Sequence, residues 1–514
     1  MEVRLLLAKV PGGAVLGVDG YIVYVEVDVS SGLPSFEIVG LPDTAIREAR
    51  ERVRAALRNS GYEFPLRRIT VNLAPAMIRK EGAGFDLPIA IGILSAIGEV
   101  DNRKAAHSVF IGELSLDGRV RGTPGVLSIA LATKKRGFED MIVAEANVGE
   151  AALVDGLNIY GVGALREVVR HLNGVKCIER ARKTCVKLSY ANSDDVDLSD
   201  VAGQEHAKRV LEIAAAGSHN VLMVGPPGSG KTMLARRFPT ILPPLSRDEA
   251  LEVTRVYSAL GLLPAGSSII SKRPFRSPHH TISPAGLIGG GRLPKPGEIS
   301  LAHRGVLFLD ELPEFGSHVL EALRQPMEDG FVTVARVRGA AAFPSQFTLL
   351  AAMNPCLCFR RSTLEGTTSC TCSPGVVRRY LSRLSGPLLD RIDLHIELGQ
   401  VEVHELHAAK DRETSTDVQK RVVKARDMQI RRFLGTRIRC NAEMGPIDME
   451  THCQLTKDAR TILYSAMRKL GLSVRSYTRT LKVARTIADL EGSQGVHVRH
   501  VAEAVGYRMP VFGA

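Results

Sequence analysis

No apolar run in the 514 residues reaches the ~20 that a bilayer-crossing helix needs, so no insertion into a membrane is expected. A secretory leader is not expected either, because Leu5-Leu6-Leu7-Ala8 stops at Lys9 before it can form a signal core. Acid is not in surplus. Lysine and arginine number 67 against 55 acidic residues, a net charge of +12 with a pI near 9.4, and an acidic polymer is the expected partner. Eight cysteines in a chain this long read as reduced thiols and not as a disulfide frame, which makes the cytoplasm the expected compartment. What remains is an ordinary soluble composition, 45% hydrophobic and 24% charged, too long for one core and sufficient for about three domains.

The chain is organised around Gly225-Pro226-Pro227-Gly228-Ser229-Gly230-Lys231-Thr232. Val221 to Val224 before it suits a strand buried on both faces, and Met233, Leu234 and Ala235 after it continue a helix. In that setting the glycines let backbone N–H groups turn in around a β-phosphate and the helix N-terminus favours the anion. Lys231 adds charge and Thr232 a hydroxyl for Mg²⁺. ATP and Mg²⁺ are therefore expected. Gly305 to Leu309 is a second buried-strand run and ends in Asp310-Glu311, with Asp310 assigned to Mg²⁺ and Glu311 to polarising the attacking water. A third run, Phe347 to Met353, ends in Asn354, an amide suited to orienting water near the γ-phosphate. These are Walker A, Walker B and sensor 1. Arg391 stands where ring-forming ATPases present a finger to the next subunit's nucleotide, and pairing with Asp390 or Asp393 is its alternative. Arg475, at the head of a helix running through Leu481, Ala484 and Ile487, resembles the sensor 2 arginine of a lid, with Arg479 one turn on as the other candidate.

Residues 1–172 form a unit before any of these motifs. Tyr21 to Val29 alternates, with Val23, Val25, Val27 and Val29 on one face, as a half-buried strand does. From Asp43 to Asn59 the period turns helical, with Ile46, Ala49, Val53 and Ala56 in a stripe and Gly61 as the stop. Ile69 to Leu73 and Met141 to Ala144 read as further strands of a mixed α+β unit. Residues 173–197 are polar and aperiodic, a linker. An α/β ATPase core, a parallel sheet with flanking helices, is expected over 198–400 and a helical lid over 401–514. The core opens at a turn carrying Val201, Gly203 and Gln204, where related ATPases touch the adenine.

Several stretches fall outside the core pattern. Arg273 to Thr281 is followed by Gly286 to Arg292 and a proline-rich tail to Gly297, longer than a usual connection and so expected to be functional. Adjacent His279 and His280 point apart on most backbones, which weighs against a metal there. Phe331 to Ala340 alternates like one arm of a hairpin with Arg336 and Arg338 on one face, exposed edge-strand charge being the alternative. Cys356 and Cys358, then Cys370 and Cys372, bracket a polar loop, and four thiols so paired can close on one Zn²⁺; reduced structural thiols are the other reading. From Lys410 to Arg439 ten basic residues stand against four acidic ones, a phosphate-tracking patch if they line one surface and a solvated helical face if they do not.

Gly225 to Thr232, Phe275-Arg-Ser-Pro-His-His-Thr281, Leu307-Phe-Leu-Asp-Glu311, Asn354-Pro-Cys356, Leu384 to Asp393 and Leu481 to Leu490 together resemble the ComM (YifB) family of Mg-chelatase-like AAA+ ATPases, over nearly the whole chain. Lys80 to Ala90 resembles the Lon-protease-like domain also found in RadA-type recombination proteins. Gly84 stands at its serine position and Leu127 at its lysine position, so the unit reads as non-catalytic. The resemblance implies a homo-hexameric motor that promotes branch migration, with helicase activity, on branched, single- and double-stranded DNA in homologous recombination and natural transformation, with recombination proteins as candidate partners. It further implies a helix-2 insert that brings Gly286 to Arg292 to a central pore, facing the Arg336/Arg338 hairpin. Members often carry a glycine after the second cysteine, where this chain has Phe359. Two other classes stay open. One is a magnesium chelatase motor subunit, against which the Lon-like unit and basic lid argue; the other is an ATP-dependent protease, whose dyad is missing.

Overall fold

The alternating valines lie in β2 (Asp19–Ser30), where Val23, Val25, Val27 and Val29 are buried, each contributing about 1.5 kcal/mol or more by leaving water. The computed structural model in which they are seen describes residues 7–77, 80–182, 196–264, 266–291, 294–336, 339–356, 372–399, 412–470 and 473–508. β2 pairs antiparallel with β1 (Leu7–Leu16) and with β4 (Arg68–Ala74), and β3 (Ser35–Val39) runs parallel to β4. On the other side β5 (Ser108–Ile111), β6 (Asp140–Ala144) and β7 (Asn158–Val162) continue in parallel, giving the seven-stranded order β3-β4-β2-β1-β5-β6-β7. The helix expected from Asp43 is α1 (Thr44–Asn59), capped by the Asp43 carboxylate, which accepts from the Ile46 amide at 2.8 Å, a contact worth about 1 kcal/mol. Its stripe of Ile46, Ala49, Val53 and Ala56 is fully buried. Gly84 lies in the short turn Ala83–Phe85 that leads into the wholly buried α2 (Asp86–Ala96), and Leu127 is buried in α3 (Val126–Lys135). Neither place carries a nucleophile or a base.

A second sheet holds the phosphate loop. β8 (Val221–Val224), β9 (Phe275–Arg276), β10 (Val306–Leu309), β11 (Thr348–Met353) and β12 (Leu394–Glu397) lie in the order β9-β10-β11-β8-β12, all parallel. Every residue of β8, β10 and β11 is buried, as their unbroken apolar sequences require. Because the strands are parallel and in register, the segments after β8, β10 and β11 emerge at one edge. α4 (Glu205–Gly217) and α5 (Lys231–Ile241) flank this sheet, and α6 (Arg247–Ala259) comes next in the chain. Four further helices, α7 (Ser415–Arg432), α8 (Lys457–Leu470), α9 (Val474–Leu490) and α10 (Val498–Gly506), share one apolar core with α4, α5 and the strands.

The first unit rests on α6. Gly125 donates to the Ser258 carbonyl at 2.9 Å, Arg255 pairs with Asp19 at 2.6 Å, and Arg247 pairs with Asp155 at 2.7 Å. Described residues of the stretch read as a linker also return to that unit, with Ala181 donating to the Ile159 carbonyl at 2.8 Å and Ile178 packed on the first core. The arginine hairpin differs from the expectation of one long arm. Phe331–Arg336 pairs with Gly339–Pro344 in a register that sets Arg336 opposite Gly339, so Arg336 ends its strand. Arg338 itself lies outside the described residues.

Candidate active site

β8 delivers the chain into the loop Gly225–Gly230, and α5 starts at Lys231. Gly228 and Gly230 take φ values of +78° and +87°, a region that side chains avoid, while a Cβ on Gly225 would come within 2.8 Å of the Leu398 carbonyl. Glycine is therefore needed at each for a definite reason. Lys231 is only 9% exposed, and its Nζ donates to the Gly225 and Pro226 carbonyls at 2.7 Å each and to the Asn354 Oδ1 at 3.2 Å. Burial pushes the amine below the usual lysine range, and the Asp310 and Glu311 carboxylates pull the other way. A phosphate entering the loop meets a cation whose present partners are neutral oxygens.

The Walker B pair arrives from β10. Thr232 Oγ1 donates to Asp310 Oδ2 at 2.8 Å, so a hydroxyl and a carboxylate already share one position. Adjacent hard oxygens of this kind suit Mg²⁺, and the residues fit that ion. Glu311 comes next with φ +52°, an uncommon left-handed geometry for a residue with a side chain, which costs of order 1 kcal/mol and turns the side chain out of the strand line. Its amide donates to Asp310 Oδ1 at 2.9 Å. Asn354 comes from β11, which is held beside β8 by the Val224–Met353 pairing and by Gly225 donating to the Met353 carbonyl at 3.1 Å.

These groups surround a cavity of about 730 Å³. Pro227 to Met233, Asp310, Glu311 and Asn354 form much of its wall, and Ser277, Pro278, His279 and His280 supply the rest. The histidines are the residues sequence reasoning missed: their stretch stood out as unexplained, but nothing in its spacing says that it folds back onto Walker B. His280 Nδ1 lies 3.9 Å from Glu311 Oε2. Tyr380 is buried outside the cavity lining, its hydroxyl pushed up by burial and by the Glu314 and Glu311 charges. The turn Val201–Gln204 leans on the same loop, with Gln204 donating to the Gly399 carbonyl at 2.8 Å and to the Ser229 carbonyl at 3.4 Å. Another cleft, of about 530 Å³, opens before β8, β10 and β11, at the opposite edge from the phosphate loop.

The arginines gather elsewhere. Arg391 is 5% exposed, donates to the Pro387 carbonyl at 2.6 Å and pairs with Glu328, neither Asp390 nor Asp393. Arg479 pairs with Asp393 at 2.7 Å. Burial would raise the Asp393 carboxyl, but Arg479 and His219 more than offset it and hold it far below the carboxylate range. Arg391 likewise depresses the Glu328 carboxyl against a smaller opposing burial effect, with Arg475 and Arg479 adding to it. Arg391 is paired with Glu328 and Arg479 with Asp393, and neither they nor Arg475 are among the residues lining the nucleotide cavity.

The remaining expected site residues divide in the same manner. Arg292, Cys358 and Cys370 lie outside the described residues. Cys356 is buried two positions after Asn354, and Cys372 is half-buried ahead of the helix Pro374–Leu381. Among the described residues no group of three or more histidine, cysteine or acidic side chains is arranged to hold a metal. Within the basic segment, Arg421 pairs with Glu212 at 2.5 Å, Arg426 donates to the Ala215 carbonyl at 2.8 Å, Arg432 pairs with Asp489 and Arg439 with Glu252 at 3.2 Å. Those four are held by partners on α4, α6 and α9, with the Arg421 and Arg439 side chains still partly exposed.

A phosphate loop after a buried parallel strand, a Mg²⁺-type carboxylate on the next strand but one and a sensor amide on the strand between them define a P-loop ATPase of the AAA+ class. Family models agree along the chain: magnesium chelatase subunit ChlI matches residues 197–406, a second ChlI model matches 25–147, and the ChlI C-terminal model matches 412–508. The chain is 46% identical over 508 residues to competence protein ComM of Haemophilus influenzae, covering 98% of both, and 44% identical over 496 residues to the uncharacterized protein YifB of Escherichia coli, covering 96% of each. It is also 26% identical to the magnesium-chelatase 38 kDa subunit of Cereibacter sphaeroides over 342 residues, which is 60% of this chain and 91% of that one. The chain belongs to the ComM/YifB family of Mg-chelatase-like ATPases.

Proposed function

We propose that this chain is the subunit of a hexameric, ATP-driven ring that drives branch migration of DNA in homologous recombination and natural transformation, working in the cytoplasm beside recombination proteins. The observation that carries it is the likeness to a competence protein along the first unit, the core and the lid alike. In this reading Lys231 and the loop amides bind the phosphates of ATP, the turn at Val201, Gly203 and Gln204 meets the adenine, Asn354 orients the attacking water and a carboxylate oxygen of Glu311 takes its proton. Mg²⁺, held through Thr232 and Asp310, supplies charge neutralisation on the transferred phosphoryl group when bound. Arg391 serves the neighbouring subunit's cavity, a role supported by its absence from its own cavity lining, and Arg475 acts as the sensor 2 arginine. Arg292, Arg336 and Arg338 grip the DNA backbone, which carries little sequence information.

ATP turnover is measured with and without forked, three-way and four-way DNA. Turnover should rise with branched DNA, and the rise should fade steeply with salt, since each phosphate neutralised contributes about −0.9 to the logarithmic salt slope. The family models favour one other reading, a magnesium chelatase motor subunit. Turnover indifferent to every DNA but raised by porphyrin-binding partner subunits would support that reading and remove the first.

Zn²⁺ binding by Cys356, Cys358, Cys370 and Cys372 is a separate proposal, resting on their paired spacing. Protein purified without chelator should then carry about one zinc per chain, and replacement of all four by serine should release it. Metal analysis that finds none leaves reduced thiols.

A further inference from the structure

Neither a nucleophile nor a base stands at Gly84 or Leu127 of the first unit, yet that unit reaches the arginine hairpin. The register of the hairpin shows what is met there. Val332 stands opposite Phe343 and Val334 opposite Ala341, so these four share one face, and all four are buried while Thr333 and Ala342 on the other face are exposed. A two-stranded hairpin is marginal by itself and needs its apolar face covered. Part of the cover is the turn at Gly17 and Val18 that joins β1 to β2, for Val18 is buried in the same apolar cluster as those four residues. Gly17 takes φ +67°, and a Cβ on it would come within 2.9 Å of the Ala341 Cβ and 3.1 Å of the Phe343 ring. Turn and hairpin are therefore in direct contact.

The turn is itself gripped from two sides. Arg255 of α6 donates to the Val18 carbonyl at 3.3 Å and pairs with Asp19 at 2.6 Å, and Ser128 of α3 donates to the same carbonyl at 2.6 Å. Gly20, just beyond, lies so close to α3 that a Cβ would stand 2.1 Å from the Ser128 carbonyl oxygen. Because α3 belongs to the first unit and α6 to the ATPase core, the turn is fixed to both. A close-packed element held in this way passes a displacement on instead of absorbing it.

We infer that the first unit is the seat of the arginine hairpin, with Val18 as the positioning residue that sets where the hairpin stands and hence how readily DNA raises ATP turnover. Val18 is not among the residues lining the nucleotide cavity, so its effect passes through the hairpin alone. A unit without protease groups thereby takes part in the motor by holding the element that grips the strand. The link to DNA rests on the reading proposed above; the seating itself does not.

Full-length Val18→Ala and Val18→Ile proteins test this beside wild type in two measurements. One is steady-state ATP turnover over a titration of a four-way DNA junction, with the affinity of a fluorescent ADP analogue as control. The other is the rate at which trypsin, without DNA, releases fragments ending at Arg336 or Arg338. In Val18→Ala the junction concentration for half-stimulation should rise by about two- to thirtyfold, the range that one packed coupling contact carries, with basal turnover and ADP affinity unchanged. Its hairpin should also be cut faster, because an element that loses its apolar cover opens more often. Isoleucine, which keeps the branched apolar contact, should hold both readings near wild type. Unchanged cutting in Val18→Ala overturns the seat, and faster cutting with an unchanged half-stimulating concentration overturns its hold on turnover. Basal turnover and ADP affinity that fall together mark a general loss of structure and overturn the positioning role as well. Wild type that the junction does not stimulate defeats the DNA reading instead, and the cutting rates then decide the seat by themselves.

Discussion

Glu311→Gln protein should bind ATP and leave it unhydrolysed, with turnover lower by about 10²- to 10⁴-fold, the usual worth of a general base. The separation comes from the geometry. In the proposed reading phosphate binding falls to Lys231 and the loop amides after β8, whereas Glu311 stands at the end of β10, next in the chain after Asp310. Glutamine keeps the shape of the side chain but accepts no proton from water. Lys231→Ala should fail differently, by losing the amine that the Gly225 and Pro226 carbonyls now hold in place for a phosphate. Equilibrium binding of ATP followed by single-turnover hydrolysis separates the two variants. Near-normal turnover in Glu311→Gln would take that residue out of the chemistry.

Arg391→Ala should cost more, about 10³- to 10⁵-fold in turnover, with nucleotide binding largely intact. In its own chain the guanidinium is buried against Pro387 and Glu328 and absent from the cavity lining, so losing it leaves the phosphate loop untouched. Mixing with Lys231→Ala protein gives the sharper result. A Lys231→Ala subunit supplies an intact arginine to an Arg391→Ala neighbour whose cavity is whole, so mixed rings should regain part of the turnover that neither variant has alone. No recovery at any ratio, with mixed rings confirmed, would count against an arginine acting between subunits.

The nucleotide site is legible in the sequence because its chemistry sits in contiguous runs. Val221 to Thr232, Val306 to Glu311 and Thr348 to Asn354 each pair an apolar strand with the functional group next in the chain, and the parallel register brings the three ends together. Asp43 is legible as a helix start for the same local reason. The features that escape such reading depend on contacts distant in the chain. His280 meets Glu311 only because the insert folds back, and Arg391 finds Glu328 some sixty residues earlier in place of the adjacent aspartates. Charge counting over 410–439 does not reveal pairing, since a run of arginines looks the same in sequence whether its members are unpaired or, as with Arg421 and Arg432, reach Glu212 and Asp489.

Branch migration on a three-strand joint molecule of partial homology tests the DNA-motor proposal most directly. Wild type with ATP should carry the branch to product, Lys231→Ala should leave it in place while still retaining DNA, and Arg336→Ala/Arg338→Ala should keep basal ATP turnover but lose movement. Wild-type protein that hydrolyses ATP and assembles, yet moves no branch on this or any other branched substrate, would contradict a DNA motor.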